Sequence, residues 1–204
     1  KATNELDLSE PSGTIVYPNT ETLTVIKNIS AGTITATSSD EDVATVSVSN
    51  NNTITITPQP INSTKTATIT VTSGATQNYN EITTTYDLTV NQGELEITAV
   101  PSKNYEGTYD GNEHGIVVIS NPNNATITYL NNGVYTQTAP TFTNASTYTV
   151  NYKVELAGYK PETGSQTVTI NKATNELDLS EPSGTIVYPE TKIITVTKNI
   201  GEDL

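Results

Sequence analysis

The side chains with reactive potential are few and scattered along the chain. There is one histidine, His114, just after the acidic run Asp110-Gly111-Asn112-Glu113. A catalytic triad or a metal cage needs that imidazole beside a nucleophile or several further ligands. The neighbouring sequence suggests an ordinary turn residue instead. A second acidic run, Asp40-Glu41-Asp42, lies between two apolar stretches. Hard cations such as Ca²⁺ take roughly six to eight oxygens, which Asp, Asn and loop carbonyls supply. Asp40, Asp42 and Asp110 are therefore the candidate ligands of a structural calcium. Neither run has the spacing of an EF-hand loop, and a solvated turn explains both more simply.

The 22 acidic side chains raise the question of glycoside hydrolysis, which needs two carboxylates held at a set separation in a cleft. All of them fall in expected turns or on strand faces, with no cleft-forming insertion, so no catalysis is expected. With no cysteine there is no disulfide, iron–sulfur cluster, thiolate zinc site or thiol nucleophile. The tyrosines offer a different chemistry, since aromatic faces stack on the apolar faces of sugars. Tyr105 and Tyr109, either side of Gly107, are the candidate ligand-binding pair. Tyr148 and Tyr152 share a strand face, while Tyr129 and Tyr135 flank a turn. Core packing is the default for such alternating aromatics in a sandwich.

The elements that would position these groups are legible in the composition. Of 204 residues, 40 are Thr and 22 are Asn. Thr suits pleated, half-buried surfaces, and Asn and Gly supply turns, so the fold is expected to be all-β. The net charge is −13 and all nine basic residues are lysine. Binding to nucleic acid or anionic lipid needs a basic footprint and is not expected. The longest apolar run is Ile116-Val117-Val118-Ile119, far too short for membrane insertion. No signal peptide or sorting tail is visible, yet a cysteine-free, acidic, Thr-rich β-protein suits an extracellular setting.

Internal repetition decides the organisation. Residues 1–18 (KATNELDLSEPSGTIVYP) recur unchanged at 172–189, and 20–29 (TETLTVIKNI) recur loosely at 191–200 (TKIITVTKNI). The chain is thus one 171-residue period plus the first 33 residues of another copy. Inside the period, YDLTV-NQG-ELEITAV and QTVTI-NKA-TNELDL share one grammar of closing strand, polar step and opening strand. This divides the chain into 1–92, 93–171 and a partial repeat, 172–204. The connections are short, which favours a semi-rigid string of domains. Period-two alternation predicts strands near 5–8, 13–17, 21–27, 33–38, 43–48, 53–57, 65–72 and 82–90. Further strands are predicted near 94–100, 115–120, 125–130, 134–138, 147–156 and 165–171. Two Ig-like β-sandwiches in tandem, plus the truncated start of a third, are the expected architecture.

Residues 1–92 resemble a bacterial Ig-like domain of the group 2 kind, through ELDLSEPSGTIVYPNTETLTV, SSDEDVATVS and TATITVT. Residues 93–171 are similar to the YDG-type (MBG) module, through TYDGNEHGIVV, ATITYLNNG, NASTYTVNYKV and AGYKPETGSQTVTI. The resemblances imply a structural stalk or spacer of a bacterial cell-surface or secreted adhesin, extracellular or on the cell wall. Adjacent repeats of the same chain would be its partners. A second reading has loops of residues 93–171 bind host glycan or matrix protein. Surface proteins of this kind also suggest a self-formed isopeptide bond, here Lys103 to Asn171. Residues 172–204 cannot close a sandwich alone, so they are expected either to pair with a neighbouring molecule, in a strand-exchanged self-association, or to pack against the preceding unit.

Overall fold

The computed structural model describes residues 1–50, 52–101 and 104–199. Among them every regular element is a strand, and the protein is all-β. Contacts gather the chain into two compact units. One comprises Lys1–Ile97, Ile119–Ile127 and Lys153–Thr163; the other comprises Thr98–Val118, Thr128–Tyr152 and Gly164–Leu204.

The first unit contains a sandwich of two four-stranded sheets. One orders β1 (Leu6–Leu8), β3 (Glu21–Asn28), β6 (Thr53–Pro58) and β5 (Ala44–Ser49). The other orders β2 (Ser12–Val16), β8 (Ile82–Asn91), β7 (Lys65–Ser73) and β4 (Ile34–Ser38). Alternation dictates which side chains face inward. Ile54 and Ile56 of β6, Ile69 and Val71 of β7, and Leu88 and Val90 of β8 are buried in one cluster that draws on both sheets. Tyr86 is the one aromatic of that buried cluster. Between β7 and β8, threonines meet as cross-strand pairs, Thr66 with Thr89, Thr70 with Thr85 and Thr72 with Thr83. Such pairs stabilise a sheet without charge.

A buried polar knot fastens the opening segment. Asn4 donates through Nδ2 to Ser30 Oγ at 2.8 Å, and its Oδ1 accepts from the amides of Glu5 and Ser30. Ser73 Oγ donates to Asn28 Oδ1 at 2.8 Å. These partners satisfy side chains that would otherwise be costly to bury.

In the second half of the period a five-stranded sheet orders β10 (Tyr105–Thr108), β17 (Glu162–Asn171), β16 (Ser146–Glu155), β13 (Thr126–Asn131) and β14 (Val134–Thr136). Two short pairs accompany it: β9 (Glu96–Val100) with β12 (Val117–Asn121), and β11 (His114–Gly115) with β15 (Thr141–Phe142). The turn from β13 to β14 is Asn132-Gly133, with φ of 50° and 81°. Positive φ at both positions is the type I′ geometry that Asn-Gly favours in a hairpin.

Most strands start and stop within a residue or two of their expected bounds. The strand expected at 115–120 is instead divided into β11 and β12 on either side of Ile116, which is buried. The one expected at 134–138 stops at Thr136. β10 and β15 have no counterpart among the expected strands. Residues 177–179 and 196–199 form β18 (Leu177–Leu179) and β19 (Val196–Asn199), which pair with each other.

The two copies of the opening segment predict a direct contrast. Leu23 is 1% exposed, whereas its counterpart Ile194 is 53% exposed. Denaturant unfolding of Leu23→Ala should show a loss of about 2–5 kcal/mol. Ile194→Ala should stay within about 0.5 kcal/mol of the parent.

Candidate functional site

β2, the second strand of the first sandwich, pairs in parallel with β8, its last, from Ser12 opposite Asp87 to Val16 opposite Asn91. The ladder is extended at both ends. Asp87 N donates to Pro11 O at 3.1 Å and Tyr17 N to Asn91 O at 2.9 Å. The same arrangement recurs in the five-stranded sheet. β10 runs parallel to β17 from Tyr105 opposite Val168 to Thr108 opposite Asn171, and Tyr109 N donates to Asn171 O at 2.8 Å. In each case the N-terminal end of the earlier strand and the C-terminal end of the later strand lie at opposite ends of the ladder. Tension along the chain therefore loads its rungs together in shear. Each hydrogen bond contributes about 0.5–1.5 kcal/mol net.

A tyrosine locks the first ladder. Tyr86 is fully buried, and its hydroxyl lies over Gly13 of β2, in space a Cβ would occupy. The hydroxyl donates to Glu21 Oε1 at 2.7 Å. Burial, and then this bond to a carboxylate, push the phenol well above its ordinary range and keep it a donor. The other carboxylate oxygen of Glu21 is buried and accepts no hydrogen bond among the described residues.

The first unit also holds an aromatic clasp. The rings of Tyr17 and Tyr159 meet edge to face with centroids 5.5 Å apart. Gly93 N donates to Gly158 O, Lys160 N to Gly93 O, and Gln92 Nε2 to Tyr159 O, all at 2.9 Å. Lys160 and Glu94 form an ion pair. Gly158 has φ of +85° and its Cα faces the Tyr17 ring, so both requirements select glycine there.

Each expected site residue has a definite place. Tyr105 is half-buried in β10 and stacks on His114, with centroids 4.6 Å apart and planes 19° from parallel. His114 thus lies in a short strand rather than in the expected turn, and its Nε2 is 2.8 Å from Asp110 Oδ1. Tyr109 is half-buried beside them in sequence. Asp40 uses its carboxylate within its own turn, accepting from Asp42 N at 3.0 Å. Asp110 does likewise with Asn112 N at 2.9 Å. Among the described residues no three His, Asp or Glu side chains converge as a metal cage. Asn171 Nδ2 donates to Glu106 Oε1 at 3.3 Å; Lys103, its expected isopeptide partner, lies outside the described residues. A further stack, Phe142 on Tyr148 at 4.0 Å, fits the expected role of aromatics as packing groups. Sequence reasoning missed the clasp. Its one available signal was a pair of glycine-adjacent steps, Gln92-Gly93 and Gly158-Tyr159, which alternation does not interpret.

No protein-family model and no curated protein matches the chain. Among solved structures it is similar to the titin domains Z1Z2 in complex with telethonin, with 12% identity over 85% of this chain and 100% of that one, at a TM-score of 0.40. It is also similar to Drosophila N-cadherin EC1–4, with 10% identity over 85% of this chain and 50% of that one, at 0.37. DIP-gamma IG1+IG2 gives 6% identity over 83% and 98%, at 0.33. The neighbours are Ig-like tandem domains. The likeness concerns fold alone.

The geometry makes two expectations concrete. A Cβ at Gly93 would come 2.5 Å from the Tyr17 carbonyl oxygen and 2.7 Å from the Tyr159 ring, so Gly93→Ala should cost about 1–3 kcal/mol in unfolding experiments. The Asp110 carboxyl is held down from 3.8 to about 2, chiefly by the Asn112 amide and then by His114. A depressed folded value means that its contribution is complete above the unfolded value and disappears as pH falls towards 2. An NMR titration should find that midpoint, and Asp110→Asn should flatten the acid limb of the stability curve in the same window.

Proposed function

We propose that the chain is a structural repeat, a stalk or spacer of a bacterial cell-surface or secreted adhesin, and that its role is mechanical rather than catalytic. The observation that carries this reading is the parallel pairing of an early strand with a late one, β2 with β8 and β10 with β17. It is a shear arrangement used twice within one period. The 171-residue repeat supports an array in which adjacent repeats of the same chain are the partners. The resemblances of residues 1–92 to a group 2 bacterial Ig-like domain and of 93–171 to a YDG-type module support two modules per period and a place outside the cell. The exposed Leu177, Ile186 and Ile194 support self-association by strand exchange, because their counterparts Leu6, Ile15 and Leu23 are core residues.

The absence of cysteine makes a pulling experiment straightforward, because handles can be attached at introduced thiols. Stretching the chain from its two ends should load the β2–β8 ladder in shear. Handles at Ser12→Cys and Asp87→Cys, which lie opposite each other at one end of that ladder, should instead unzip it. The end-to-end unfolding force should exceed the unzipping force at least two-fold at the same pulling rate. Equal forces in the two geometries would sink the mechanical reading.

A further inference from the structure

The copied opening segment reproduces the β1–β3 pairing of the original. Leu6 pairs with Asn28, Asp7 with Lys27 and Leu8 with Val25, with a bulge between Asp7 and Leu8. Leu177 pairs with Asn199, Asp178 with Lys198 and Leu179 with Val196, with the bulge in the same place. Ser9 N donates to Thr24 O and Thr24 N to Ser9 Oγ; Ser180 N donates to Thr195 O and Thr195 N to Ser180 Oγ. Residues 172–189 are identical to 1–18. A second copy of the chain therefore carries a segment with the sequence of β1 and β2 and the β1–β3 pairing needed to replace the resident opening segment of the first unit.

The two segments differ at one position with consequences for that replacement. Position 21 is glutamate and its counterpart, 192, is lysine. In the first unit the notch over Gly13 holds the Tyr86 hydroxyl, which donates to Glu21. In the copy the equivalent notch over Gly184 is filled by the ammonium of Lys192 itself, ion-paired with Glu181. An incoming copy would have to withdraw that ammonium to admit Tyr86. It would then place no acceptor where Glu21 accepts from the buried phenol, because an ammonium is a donor only. A buried donor left without its charged acceptor is destabilising.

We propose that residue 192 is a pairing discriminator: lysine there, in place of the glutamate at 21, keeps the copied segment of one chain out of the first sandwich of another. The inference rests on the strand-exchange reading above and names the residue that restrains it.

The test uses the full chain, refolded at high concentration and measured by analytical ultracentrifugation. Lys192→Glu restores the acceptor and should raise the dimer association constant about tenfold or more, the effect of regaining one charge-assisted hydrogen bond. Lys192→Met breaks the pair with Glu181 without supplying an acceptor, and should stay close to the parent. A gain in Lys192→Met as large as in Lys192→Glu would overturn the discriminator. A dimer of equal strength in parent and Lys192→Glu would also overturn it, while leaving exchange standing. No dimer in any of the chains would overturn exchange and its control together. The chemistry has its own readout within one chain. Glu21→Lys should lower the unfolding midpoint, and the loss should shrink in a Tyr86→Phe background, where no hydroxyl needs an acceptor. A Glu21→Lys chain as stable as the parent would remove the physical basis of the proposal.

Discussion

The pairing of β2 with β8 joins residues 75 positions apart, 12 against 87, and the first sandwich depends on it. Closing so long a loop costs conformational entropy that local contacts do not return. The return comes when β2 seats: Ile15 enters the core, Gly13 gives room to the Tyr86 hydroxyl, and that hydroxyl reaches Glu21 on the other sheet. One ladder thus completes a sheet, fills a notch and links the two layers. The molecule contains its own control for this dependence. Residues 183–187 have the sequence of β2 without a β8 beside them, and they form no strand. Identical residues adopt strand geometry only where a partner edge exists, as expected when sheet propensity reflects context more than backbone preference.

The same contrast separates what was legible in the sequence from what was not. Alternation in TITIT and TATITVT marks β6 and β7 and assigns Ile54, Ile56, Ile69 and Val71 to the interior, because a period of two sorts side chains by face. It does not choose partners. Nothing in residues 12–16 announces a parallel match to 87–91, since register depends on which faces are buried together and on the connections between strands. β10 is hidden for a different reason: four residues with a glycine at Gly107 give too short a pattern to read. The stack of Tyr105 on His114 and the clasp of Tyr17 with Tyr159 join residues that share no strand and no period. Both are products of the tertiary fold, so no local signal could expose them.

The surface is built on a related economy. Cross-strand threonine pairs cover the outer face of the β7–β8 ladder with side chains that pack as β-branched groups and still meet water through a hydroxyl. Few charges are needed to keep such a face solvated, and those present are mostly acidic, with a net charge of −13. Like-charged copies repel at long range, which discourages edge-to-edge pairing of neutral strands. The sandwich can therefore carry long uncharged strands without advertising them to its neighbours.

The distance in sequence between β2 and β8 has a consequence for the order of events as the chain is made. β1, β2 and β3 are complete by Asn28, whereas β8 begins at Ile82, so the opening segment leaves the ribosome well before the strand that closes its sandwich. It must then wait for β8, the last strand of its sandwich. At typical rates of about 5–20 residues per second, that delay lasts seconds. During it the resident β2 is tethered to its own nascent β8 at high effective concentration, whereas the identical stretch at 183–187 has yet to be synthesised. Direction of synthesis thus gives each sandwich first use of its own opening strand.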